Sequence, residues 1–492
     1  MEQHATSNTS PLPQAESKDE KDIDEILSEI GYGFWQLQLI AILCIGSMSD
    51  ATEVNVLSFI CPCAEEEFGL SGVQTSLISG AVFVGELIGG GIFGFLGDWK
   101  GRRFSFGISL FLMLSAGIAT YFTQSYTQLV ACRCLVGIGV GGGVVPFDYL
   151  AETVPTKRRG LICMISAVAW GIGSVFTSGM AWALMDSKGW RFLALVCAAP
   201  VALVTLLLFT MTESPRWLLS QGRTKEAVQA LKYGAWLNQK DLGEFSLRPY
   251  NKPNQVGDFR TIFEGNLLKP TILLSIIWLG FGFGYYAIVL VISDIYQISN
   301  ENCSFDHEDI FLSTLSEPIF IIGALFFIDM SRRLTHSTNY FFAGLFTIII
   351  GLNLNRSFLM VMAFFTRGCI DIASSTTWTV TPEFYPTSIR TSAHALFYVI
   401  SNIGSFFSGY WVYSGIQTEL ICILIALICV TTGIAALSLQ ETAGINIDES
   451  KHDDEQVDGS KGRALSKSFA FVRSFSLGSS RNIGGDNSVA LI

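Results

Sequence analysis

Twelve apolar runs, 17 to 27 residues long, recur along this chain of 492 residues, near 34–60, 74–97, 104–122, 127–150, 161–184, 190–211, 271–296, 310–330, 338–354, 357–381, 391–414 and 418–438. A helix crosses about 30 Å of hydrocarbon in about 20 apolar residues, and only helices and closed barrels satisfy their own backbone hydrogen bonds there. The pattern restricts the chain to an all-α polytopic membrane protein with twelve expected transmembrane helices, the weakest being 338–354, which runs out into Asn353 and Asn355. Half of the residues are hydrophobic and 15% are charged, which excludes an ordinary soluble enzyme. The formal charge of −11 is concentrated at the ends: Glu16 to Glu29 holds seven acids against Lys18 and Lys21, so nucleic-acid binding has no support.

Basic residues fall in alternate loops: Lys100, Arg102 and Arg103, then Lys157 to Arg159, Arg332 and Arg333, and Arg390. The positive-inside rule makes that side cytoplasmic and places both termini there. The opposite loops are acidic (Glu65 to Glu67; Glu301, Asp306, Glu308 and Asp309), and there the sequon at Asn302 faces the lumen or the exterior. Eight of the eleven cysteines lie inside apolar runs, where a thiol behaves as a small hydrophobe, so a disulfide scaffold is not expected. Sequence alone does not decide whether Cys303 bridges to the Cys61-Pro62-Cys63 turn.

The expected organisation is an acidic, disordered cytoplasmic tail over 1–30, a six-helix bundle over 31–212, a cytoplasmic loop over 213–269, a second six-helix bundle over 270–442, and a disordered cytoplasmic tail over 443–492. Within the long loop, Ala227, Leu231 and Ala235 have helical spacing, which predicts a surface helix over Thr224 to Leu237.

An internal repeat carries the functional inference. Glu152-Thr-Val-Pro155 through Arg159 and Glu383-Phe-Tyr-Pro386 through Arg390 form the same E-x-x-P-x-x-x-R pattern 231 residues apart, and Asp98 and Asp329 share that offset. Each aspartate precedes a basic pair, and an intramembrane arginine precedes each pattern, Arg133 and Arg367. A duplicated six-helix unit whose copies begin on the same side suits a transporter that rocks two halves about a central site. Carboxylates and guanidinium groups at helix ends can bridge neighbouring helices and latch one side shut. This assigns Asp98, Arg102, Arg103, Glu152, Arg159, Glu213, Arg216, Asp329, Arg333, Glu383 and Arg390 to a cytoplasmic gate.

These residues resemble the major facilitator superfamily. Gly94-Phe-Leu-Gly-Asp98-Trp-Lys-Gly101-Arg102-Arg103 is similar to its loop between the second and third helices, Arg133-Cys-Leu-Val-Gly137-Ile-Gly139-Val-Gly141 to its fourth-helix motif, and Glu213-Ser-Pro-Arg216-Trp-Leu to its sixth-helix exit. Within that superfamily, Ser49-Asp50-Ala-Thr-Glu53, Tyr285-Tyr286 and Thr381-Pro382-Glu383-Phe-Tyr385-Pro386 resemble the synaptic vesicle 2-related family and bacterial nicotinate-type transporters. Asp148 departs from the fourth-helix pattern, standing where a neutral residue is expected. The resemblance implies a monomeric carrier of a small organic solute, working in the lipid bilayer of a plasma or vesicle membrane.

Charges retained in mid-membrane cost about 2.5–3.5 kcal/mol each, so each implies a partner, a wet cavity or a function. Asp50 and Glu53 at i,i+3 share a helix face and are expected to hold a proton between them. Arg133 is a candidate for anion binding or for neutralising one of them, whereas Arg367 is expected to pair with Asp371 one turn on. Glu86 and Glu317 are expected as packing or gate partners. Tyr285, Tyr286 and Trp378 are candidates for stacking on the solute. No metal-ligand cluster, nucleophile triad or nucleotide fingerprint appears, so neither a cofactor nor enzymatic catalysis is expected. The expected function is proton-coupled transport of an organic acid, cation or zwitterion; the alternative is a non-transporting scaffold or receptor on the same fold.

Overall fold

The computed structural model describes residues 20–153, 159–248, 259–297, 303–328, 330–352, 354–385 and 389–442, excepting the side chains at 148, 151, 159–163, 390 and 391. Asp329, Asn302, the tails over 1–19 and 443–492, and the side chains of Asp148, Arg159 and Arg390 therefore lie outside the described residues.

Helices cover each apolar run. In chain order they are α1 (Ile23–Ile30), α2 (Phe34–Asn55), α3 (Leu57–Phe68), α4 (Gly72–Lys100), α5 (Arg102–Tyr121), α6 (Tyr126–Val140), α7 (Val144–Thr153), α8 (Arg159–Cys197), α9 (Ala199–Leu207), α10 (Pro215–Ser220) and α11 (Thr224–Leu237). After the long loop come α12 (Leu268–Ile295), α13 (His307–Thr314), α14 (Ser316–Ala324), α15 (Arg332–Gly351), α16 (Arg356–Val380), α17 (Arg390–Val412) and α18 (Thr418–Leu437). Among the described residues, eight helical stretches are long and apolar enough to cross a membrane: Phe34–Phe68, Gly72–Lys100, Arg102–Tyr121, Tyr126–Phe147, Met164–Thr210, Gly265–Ile295, Arg356–Glu383 and Thr418–Leu437. The other runs fall on α13 with α14, which break at Leu315, and on α15 and α17, which carry Ser, Thr, Asn and His along their length. At about 1.5 Å per residue, Met164–Thr210 is more than twice as long as a bilayer core is thick. Gly189 divides it: its φ of 78° belongs to the left-handed region that a side chain disfavours.

Local chemistry shapes the helices that matter. The break between α2 and α3 falls where Thr52, Asn55 and Ser58 turn their side chains back onto the backbone carbonyls of Ser49, Ala51 and Asn55, one turn before Pro62 removes a helical N–H. α4 and α6 approach backbone to backbone because glycines line both, Gly85 and Gly89 on one side and Gly137 and Gly141 on the other. α12 is buried along most of its length and packs on α16, α17 and α18. Contacts between the repeat copies run through α4 with α17, α3 with α12, and α8 with α13 and α14.

Residues 20–30, expected as tail, are ordered. Ile23, Ile26, Leu27 and Ile30 give α1 one buried face, the Glu25 carboxylate accepts the Asp22 N–H at 3.0 Å, and Glu20-Lys21 pairs in parallel with Ser246-Leu247. The dense acids of the segment hid this apolar stripe. The surface helix expected over Thr224 to Leu237 is α11, with Ala227, Leu231 and Ala235 buried.

Candidate functional site

Three layers of polar side chains interrupt the apolar bundle. The first lies at the basic ends of the helices. Arg102 opens α5, donates to Asp98 at 2.6 Å one turn back on α4, and donates to Glu152 at the end of α7 at 3.1 Å. Glu152 also accepts the Ser214 hydroxyl, and Arg216 donates to the Glu152 backbone carbonyl at 2.7 Å while pairing with Asp24 of α1. Glu213 caps α5 by accepting the backbone N–H groups of Arg102 and Arg103 at 2.9 and 3.2 Å. Burial raises the Glu213 carboxyl above its ordinary range, and those backbone donors pull it back.

The second copy repeats the plan. Arg332 pairs with Glu383, and Glu441 caps α15 by accepting the Arg332 N–H at 3.0 Å and the Ser331 hydroxyl at 2.5 Å. Arg333, the expected gate residue, is instead exposed; the helix turns Arg332 toward Glu383 and Arg333 outward. Arg332→Ala is accordingly expected to lower thermal stability by about 1 kcal/mol and Arg333→Ala by no measurable amount. Melting of the two purified variants in detergent checks this; equal losses would contradict the assignment.

The middle layer holds the buried charges. Glu53 and Arg133 are both fully buried and pair at 3.2 Å, with the second Arg133 amino group donating to Thr120 at 2.6 Å. Asp50, one turn from Glu53, does not share this pair; it is half-buried, and only the missing side chain of Gly143 leaves room for its carboxylate. Glu86, on α4, accepts the Tyr398 hydroxyl of α17 at 2.5 Å. In the second copy Arg367 takes Glu317 of α14 at 2.5 and 2.9 Å rather than Asp371, because its side chain reaches across to the neighbouring helix. The Asp371 Oδ2 atom is left buried without a hydrogen-bond partner. The chain continues from Glu317 to the Tyr285 hydroxyl at 3.4 Å, and Tyr285 accepts the Trp170 indole N–H of α8 at 2.7 Å.

Aromatic rings fill the space around these groups. Tyr286 packs on Tyr285 and on Phe83, with ring centroids 5.2 and 4.7 Å apart. Trp378 is separate from that pair: it stacks on Phe147 at 6.1 Å and meets Tyr398, Trp278 and His394. Of the sequence-derived candidates, Glu53 and Arg133 come together, as do Tyr285 and Tyr286, whereas Asp50 and Trp378 sit in neighbouring compartments. Glu86 and Glu317, expected as packing or gate partners and 231 residues apart, meet Tyr398 and Arg367. Tyr398, Trp170, Arg332 and Glu441 did not stand among the site candidates.

The outer layer ties the copies together. Cys63 of α3 and Cys303 form a disulfide, and the Cys303 N–H donates to Glu66 at 2.8 Å. His307 contacts Asp186 of α8 at 3.2 Å, and within the first copy Arg191 pairs with Glu67 at 2.7 Å.

Residues 19–453 match the family described as sugar (and other) transporter. The chain is similar to organic cation/carnitine transporter 7 of Arabidopsis thaliana, 28% identical over 78% of this chain and 86% of that protein. It is similar to the synaptic vesicle 2-related protein of Rattus norvegicus, 29% identical over 75% of this chain and 71% of that one. Among solved structures, the proton:xylose symporter XylE of the major facilitator superfamily has the same fold, with a TM-score of 0.66 at 18% identity, covering 85% of this chain and 98% of its own.

Proposed function

Since the chain belongs to the family of sugar (and other) transporters, we propose that it is a secondary active transporter that carries a small organic ion across its membrane by alternating access. One observation carries this most directly. The same carboxylate–guanidinium network closes the basic ends of both repeat copies, while buried polar side chains of the two copies meet in mid-membrane, at Glu86–Tyr398 and Trp170–Tyr285. Networks at helix ends are suited to holding one face shut and yielding when the halves rock. The solute is placed between the copies, against Tyr285, Tyr286 and Trp378.

In this reading the chain crosses twelve times: the eight long stretches, one of them doubled at Gly189, with α13–α14, α15 and α17 supplying the rest. The basic ends and both termini are cytoplasmic, and the carrier works as a monomer in a plasma or vesicle membrane. Gate roles for Asp98, Arg102, Glu152, Glu213, Arg216 and Glu383 rest on the contacts above, and those of Arg103, Asp329, Arg159 and Arg390 on the sequence repeat. Asp50 and Glu53 couple transport to protons, with Arg133 holding Glu53 while Asp50 exchanges its proton with the central space.

Uptake into proteoliposomes under an imposed proton gradient, with labelled organic anions, cations and zwitterions, tests the proposal. A saturable, gradient-driven signal is the expected result; ligand binding by folded protein without any uptake would favour a receptor or scaffold. Asp50→Asn is expected to abolish uphill accumulation while exchange across the membrane persists. Undiminished accumulation in that variant would remove Asp50 from the coupling step.

A further inference from the structure

We propose that Glu86, Tyr398 and Tyr286 form the recognition site for the charged head of an organic cation, an assignment that rests on the transport function above and narrows its substrate class. The two guanidinium groups described in mid-membrane are each engaged by one carboxylate, Arg133 by Glu53 and Arg367 by Glu317. Glu86 stands midway along α4 and is 6% exposed, yet its described contact is a neutral tyrosine hydroxyl, and its Oε2 atom is buried without any hydrogen-bond partner. A carboxyl so placed is met either by a proton or by a compensating positive charge, since burying it ionised and alone costs several kcal/mol.

The surroundings fit a cation supplied from outside. Tyr398 from α17 brings its hydroxyl to the carboxylate, with Trp378 behind its ring at 5.9 Å, and the Phe83–Tyr286 pair joins α4 to α12 one turn before Glu86. Aromatic faces attract a quaternary or protonated nitrogen, more strongly when water is excluded. An anionic solute would meet the uncompensated Glu86 carboxylate here and be rejected. The repeat sharpens the contrast. Glu317, the counterpart of Glu86, is neutralised by Arg367, so only one of the two equivalent carboxylates is left to a ligand. Because Glu86 and Tyr398 belong to different copies, a cation bound between them would sense the rocking of one against the other.

The test uses full-length protein in nanodiscs, with tetraethylammonium and 1-methyl-4-phenylpyridinium as cationic probes and benzoate as the anionic one. The cations are expected to raise the melting temperature and benzoate to leave it unchanged. Glu86→Gln, which keeps an acceptor for Tyr398, is expected to weaken cation binding about tenfold or more, equivalent to about 1.4 kcal/mol. Should that variant fail to fold, Tyr286→Leu is expected to lose cation affinity severalfold. Cation affinity unchanged in Glu86→Gln, or in Tyr286→Leu where only that variant folds, would overturn the assignment. So would stabilisation by benzoate alone; if benzoate is also taken up by vesicles, transport stands and only the cation class falls. Absence of binding and uptake for every probe would count against both.

Discussion

Arg133→Leu is expected to yield little folded protein, with a loss of roughly 3–5 kcal/mol, because it strands Glu53 as a fully buried charge with no counter-ion. The pair itself need not stabilise the bundle: two charges taken from water recover little more than their desolvation cost. What matters is the asymmetry between removing one partner and removing both. Glu53→Leu/Arg133→Leu is therefore expected to recover most of the lost stability, since no buried charge then remains and the Thr120 hydroxyl keeps its donation to the Ala116 carbonyl at 3.0 Å. Monodispersity after heating, followed by size-exclusion chromatography, measures both variants. A double variant no more stable than the single one would show that the pair contributes by itself.

The second large effect belongs to the α4–α6 seam. A Cβ on Gly137 would lie 2.0 Å from the Val82 carbonyl oxygen, and one on Gly89 equally close to that of Ile138, so the obstacle in each case is backbone. Gly137→Ala is expected to cost about 3 kcal/mol or more, at the upper end of overpacking penalties, because the helices must separate to admit a methyl group. Gly91→Ala, two residues along from Gly89, meets nothing within 4 Å and is expected to be neutral or stabilising by about 0.5–1 kcal/mol through helix propensity. Melting temperatures of the two variants decide the matter; similar values would mean that the seam is not a close contact.

Much of the architecture was legible because the bilayer leaves so few choices. Run lengths located the helices, and the offset between Glu152 and Glu383 exposed the duplication. Gly141 opens a run of three glycines, and a Cβ there would fall 2.5 Å from the Glu86 backbone oxygen, so the small residues of that run are what admit the close approach. Partner choice was harder. Arg367 has an acid one turn away at Asp371, yet it reaches Glu317 on a helix 50 residues distant in sequence, since spacing within a helix says nothing about what a long side chain meets beyond it. Arg332 and Arg333 are indistinguishable as letters; the capped start of α15 decides which faces Glu383. The α1 stripe was overlooked because acids at intervening positions outweighed four apolar residues in any average over the segment.

The bond between Cys63 and Cys303 also changes the covalent topology of the molecule. With a sequence separation of 240, it closes the intervening chain into a ring that contains α4 through α12 and the whole connecting loop. A single backbone cut anywhere inside that ring opens it without dividing the protein, and the two portions stay one covalent molecule. A cut outside it, toward either terminus, releases a fragment at once. The connecting loop is thus not the sole covalent tether between the repeat copies.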